Sequence, residues 1–132
     1  MLKYVFLSMA LLIAPIASAK DAEIQATISN QIEAFKSDDF VAAFEYASPM
    51  IQGIFGNPSN FGAMVKGGYP MVARPASVDF LDLREIAGRL FQQVQVQGPD
   101  GAFYVLDYEM IQLNGIWRIN GVQILPGRQY GA

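Results

Sequence analysis

The stretch Ala102–Leu125, AFYVLDYEMIQLNGIWRINGVQIL, decides the fold. Asn114-Gly115 separates two segments rich in aromatic and β-branched residues, and that dipeptide is the strongest short-range signal for a two-residue hairpin turn. Such a turn sets Leu113 opposite Ile116 and fixes the remaining pairs along both strands. One face then carries Tyr104, Leu106, Tyr108 and Met110 opposite Leu125, Gln123, Gly121 and Ile119, with Trp117 beyond. This is the expected core face. Gly121 inside the strand marks a bulge or a bend.

The preceding turn selects the same face. Pro99-Asp100-Gly101 suits a three-residue loop closed by a left-handed glycine. It pairs Val96 with Tyr104, Val94 with Leu106 and Leu90 with Met110. A loop one residue shorter or longer turns Val94 and Val96 to the other side. The expected strands are thus Ser77–Glu85, Arg89–Gln97, Ala102–Leu113 and Ile116–Leu125. The first hairpin stays open: a two-residue Ala87-Gly88 turn points Leu81 and Leu83 inward, and a three-residue turn points in Val78, Phe80 and Asp82.

Upstream the period changes to that of helices. Ile24, Ile28, Ile32 and Phe35 recur in steps of four, four and three, which predicts a helix over Asp21–Ser37. Asp38-Asp39 offers caps for a second helix carrying Phe40, Ala43, Phe44 and Ala47 and ending near Ser48-Pro49. Met50–Val72 is apolar and irregular. Within it Asn57-Pro58 predicts the start of a short helix through Phe61, Met64 and Val65 that stops at Gly67-Gly68. Tyr69-Pro70 and Arg74-Pro75 predict extended, turn-rich chain. The whole predicts an α+β fold, with N-terminal helices packed on a curved antiparallel sheet.

The first residues carry an address. Lys3 precedes an apolar run, Val5–Ile16, too short to cross a bilayer core of about 30 Å comfortably, and Ala17-Ser18-Ala19 supplies a small-residue cleavage site. Residues 1–19 are therefore expected to be a cleavable signal peptide, residues 20–125 one domain, and residues 126–132 a flexible tail. The expected product starts at Lys20, is periplasmic or secreted, and keeps no stable membrane insertion. Without Lys3 it holds eight basic against twelve acidic residues. No cluster of Lys and Arg stands against that balance, which excludes nucleic acid as the expected partner.

Several segments carry a resemblance: Gln31-Ile32-Glu33-Ala34-Phe35, Asp38-Asp39-Phe40, Ala47-Ser48-Pro49-Met50-Ile51, Phe61-Gly62, Met64-Val65 and Gly68-Tyr69-Pro70-Met71-Val72. Phe80-Leu81-Asp82-Leu83, Leu106-Asp107-Tyr108-Glu109-Met110-Ile111 and the closing segment from Trp117 to Val122 complete it. Through these residues the chain resembles an exported bacterial family catalogued as domain of unknown function 4864. The resemblance implies a cone-shaped fold like that of nuclear transport factor 2, and no activity. The wider fold hosts isomerases, dehydratases and many non-catalytic modules, and often pairs through the outer sheet face.

With no histidine and no cysteine, the usual proton shuttle, thiol nucleophiles and most zinc sites are absent. No catalytic residue, metal ligand or cofactor is assigned. Tyr104 and Tyr108 fall on the expected inner face, where a tyrosine is usually core with a satisfied hydroxyl. Asp107 and Glu109 share the outer face, which predicts a solvated cross-strand charge pair with Arg118 diagonal to Glu109. The expected binding residues are Tyr46, Met50, Phe55, Phe61, Met64, Tyr69, Met71, Arg74 and Tyr108, lining or rimming a cone that holds a small apolar ligand or a peptide. Phe91, Phe103, Val105, Ile111, Leu113 and Ile116 on the outer face predict a homodimer. The competing functions are a small lyase or isomerase using Tyr and Asp, and a structural dimerisation domain without a pocket.

Overall fold

The computed structural model describes residues 18–126, so the expected leader and tail lie outside the described residues. The helices come first: α1 (Ala19–Lys36), α2 (Phe40–Glu45), α3 (Pro49–Phe55), α4 (Pro58–Gly68) and α5 (Pro70–Ala73). The strands come next as a meander in the order β1 (Ser77–Ile86), β2 (Arg89–Gln97), β3 (Phe103–Leu113) and β4 (Ile116–Ile124). The result is an α+β fold with an open, curved antiparallel sheet, consistent with a cone of the nuclear-transport-factor-2 type. Among the described residues no helix is long and apolar enough to cross a membrane.

Four of the five helices, α1 to α4, begin where a side chain accepts a free backbone N–H, and α5 has no such cap. Asp39 accepts from Ala42, Ser48 from Ile51 and Asn57 from Asn60, and Pro49 and Pro58 open the helices that the last two cap. The stretch expected to be irregular is thus largely short helices. The Tyr69–Arg74 segment, expected to be extended, forms α5 behind Pro70. These pieces have too few turns to show a helical period, and proline at the first position was their sign.

The end of α1 anchors the later helices. Asp38 sits at φ +54° and its N–H donates to the Phe35 carbonyl, while the Asp39 N–H reaches Ala34. This is the left-handed helix stop usually given to glycine. Aspartate occupies it because its carboxylate has partners: Arg74 bonds both of its oxygens at 3.2 Å, Lys66 approaches at 3.3 Å, and Arg74 also donates to the Lys36 carbonyl. One arginine therefore ties the exit of α5 to the end of α1.

The sheet's register is set by the turns. Asn114 and Gly115 both have positive φ, Leu113 pairs with Ile116, and the pairing holds to Met110–Ile119. A bulge there shifts the rest by one, so Tyr108 faces Val122 and Leu106 faces Ile124 rather than Gly121 and Gln123. The three-residue loop pairs β2 with β3 as expected, Val96 with Tyr104 and Leu90 with Met110. The first hairpin combines both alternatives. The two-residue turn sets Leu83 beside Gln92, then a shift between Phe80 and Leu83 turns Phe80 and Val78 inward against Val94 and Val96.

Ile24, Ile28, Ile32 and Phe35 of α1 join Val94, Val96, Leu106, Tyr108 and Met110 of the inner sheet face in one buried cluster. The opposite face is mixed. Phe103, Leu113, Ile116 and Ile86 are exposed there, but Asp107 and Glu109 are only 8% and 7% exposed. The expected solvated pair with Arg118 is corrected: Arg84 of β1 binds Asp107, and Arg89 and Asn120 bind Glu109. Arg84 faces outward because of the two-residue turn, which pairs it with Phe91.

Candidate functional site

Between the helices and β4 lies a cavity of about 250 Å³. Gln31 and Phe35 of α1 form its floor with Ile119 and Val122 of β4. Ala47, Ile51 and Phe55 line it as well, together with Phe61, Met64 and Val65 of α4, Tyr69 and Val72. The side nearest β4 is pinned by backbone: Ile119 N–H donates to Tyr46, and Ser48 N–H donates back to Ile119, each at 2.8 Å. Gln52 adds two bonds to the carbonyls of Phe44 and Ala47, which fix α3 on the end of α2.

Four expected binding residues, Phe55, Phe61, Met64 and Tyr69, meet in this wall. The other five stand elsewhere. Met50 is 54% exposed on α3, and Met71 is buried in the core beneath the β2–β3 turn. Tyr46 is half-buried and gives its carbonyl to β4. Arg74 is committed to Asp38 and Lys36. Tyr108 is wholly buried under the sheet, away from the cavity lining.

Sequence reading missed Gln31. It interrupts the apolar stripe of α1 between Ile28 and Phe35, at the spacing of a core position, and that intrusion was the available signal. Gln31 is 3% exposed and its amide nitrogen donates to the Ala43 carbonyl at 3.1 Å. Among the described residues the cavity lining contains no Asp, Glu, Lys or Arg. Among the described residues no group of three acidic side chains could hold a metal ion.

The two inner tyrosines differ. Tyr104 donates to Asp100 at 3.0 Å in the exposed β2–β3 turn, where Asp100 also accepts from Ala102. That hydrogen bond holds the Tyr104 phenol above its ordinary value. Burial pushes the Tyr108 phenol up, and its hydroxyl has no hydrogen-bond partner among the described residues, against the satisfied hydroxyl expected. Gln92, its cross-strand neighbour, likewise keeps an unpartnered buried Oε1. Tyr108→Phe is therefore expected to leave stability unchanged or raise it by about 1 kcal/mol in urea unfolding, since an unpaired buried hydroxyl stabilises nothing. A loss of more than about 1 kcal/mol would mean that the hydroxyl has a partner in solution.

The cavity is a partly open apolar chamber with two polar side chains, Gln31 and Tyr69, and such a chamber can hold an uncharged molecule largely out of water. No curated protein and no solved structure matches the chain. The family model described as Domain of unknown function (DUF4864) matches residues 17–132. The chain belongs to that family.

Proposed function

We propose that this is an exported binding module that carries or senses a small apolar molecule in the cavity between α1, α3, α4 and β4. The observation that supports it is the cavity itself: about 250 Å³, walled by Phe35, Ile51, Phe55, Phe61, Met64 and Val122, with no charged side chain among the described residues that line it. Apolar chambers with a few polar groups are the default small-molecule sites of proteins. Methionine, here Met64, suits a site that adapts to its guest.

The test uses protein recovered from the cell envelope, whose intact mass is expected to place its first residue at Lys20. The wild type should take up a hydrophobic fluorescent probe. Met64→Trp, which fills the chamber from α4, should lower that uptake at least tenfold while leaving the circular dichroism spectrum unchanged. Wild-type protein that binds no such probe would make the domain an interaction module without a guest.

The same reading includes a homodimer through the outer sheet face. Phe103, Leu113 and Ile116 are 42%, 41% and 53% exposed there, around carboxylates that already have their arginine partners. Burying such a face removes apolar surface from water, and the carboxylates within it, Asp107 and Glu109, are already paired. The wild type is expected to sediment as a dimer at high micromolar concentration, and Phe103→Lys as a folded monomer. A monomeric wild type would sink the dimer.

A further inference from the structure

We infer that the guest of the cavity is an uncharged, hydroxyl- or amide-bearing compound of roughly ten non-hydrogen atoms, whose donor hydrogen is accepted by Gln31 Oε1. This rests on the binding reading above and names the class of ligand. The orientation of the Gln31 amide is fixed by chemistry: its partner is the Ala43 carbonyl, which can only accept, so the nitrogen lies there and Oε1 at the other end. Oε1 accepts no hydrogen bond among the described residues. Gln92 Oε1 is sealed from solvent and unpartnered, but Gln31 Oε1 is not among the sealed atoms. Its residue is 3% exposed and lines the cavity, so the surface left to Oε1 opens into that chamber.

An acceptor fixed in an apolar chamber selects for a donor. A guest without one leaves Oε1 dry and unpaired, which discriminates more strongly than a methylene missing against an apolar wall. A carboxylate guest meets no cation among the described residues of the lining and places its charge against this oxygen. Size is set by volume. An apolar cavity of about 150 Å³ accepts benzene, so about 250 Å³ takes roughly ten non-hydrogen atoms.

Titration of the full exported chain with 1-octanol, its isomer 1-methoxyheptane and octanoate tests this, each read by displacement of the fluorescent probe. In the wild type 1-octanol should bind about tenfold more tightly than 1-methoxyheptane, the worth of one buried hydrogen bond, and octanoate more weakly than either. Gln31→Leu should abolish the difference between alcohol and ether while still taking up the probe. Gln31→Met, of equal length, replaces it if the leucine variant does not fold. Equal binding of alcohol and ether by the wild type overturns the inference and leaves the apolar chamber standing. So does discrimination that survives loss of Gln31, or octanoate binding as tightly as the alcohol. A wild type that takes up neither the probe nor any of the three compounds overturns the binding reading and this inference together.

Discussion

Phe61→Ala is expected to remove about 4 kcal/mol of stability, the middle of the range for truncating a buried aromatic side chain. Phe61 is 5% exposed, and its ring lies against those of Phe35, Phe44 and Phe55, with centroids 5.7, 5.5 and 5.7 Å away. It is thus the shared member of three tilted aromatic pairs, each worth about 0.5–1.5 kcal/mol beyond simple burial. The site also cannot collapse easily. A cavity already lies on one side of Phe61, so truncation joins a new void to an existing one. In urea unfolding the midpoint should fall steeply with the slope unchanged. A loss below about 2 kcal/mol would mean that α4 closes over the gap, and that the helical wall is softer than its aromatic contacts imply.

Arg84→Met should cost about 3 kcal/mol, for a different reason. The Asp107 side chain is 10% exposed and Arg84 is its ion-pair partner, so removing the guanidinium leaves a carboxylate with neither water nor counter-charge. Adding Asp107→Leu should recover all but about 1 kcal/mol, because the pair as a whole contributes little net stability. The cycle separates the value of the interaction from the penalty of an orphaned charge. If the double variant is as unstable as Arg84→Met alone, the loss comes from packing of the arginine stem across the sheet and the account of Asp107 fails.

The strands were legible because their turns carry specific chemistry. Asn114-Gly115 and Pro99-Asp100-Gly101 each demand positive φ at a set position, and two consistent turns place a whole face. The first hairpin was not legible, since no glycine marks the bulge between Phe80 and Leu83. Each alternative register holds on one side of it. That same hairpin hid the partners of the buried acids, because Arg84 reaches Asp107 only across two strand pairings. In the helical half, Phe55, Phe61, Met64 and Tyr69 were legible as a greasy cluster, yet their neighbours Met50 and Met71 are not part of the wall. Composition finds such a cluster, but helix phase sorts it, and the seven residues of α3 are too few to reveal a phase. Gln31 was overlooked because an amide on an apolar stripe passes as a tolerated exception.

An open four-stranded sheet leaves two strands with a free rim, and such rims invite neighbouring chains to extend the sheet. Both are blunted here. On β1 the register shift after Phe80 breaks the line of backbone groups, and Asp79, Asp82 and Glu85 stand along it exposed. On β4 the backbone of Tyr46 and Ser48 docks at Ile119 and occupies the middle of the rim. Growth by adding strands is therefore blocked at both ends. A concentrated solution of this protein should resist fibril formation for as long as the Tyr46–Ser48 corner stays seated on β4.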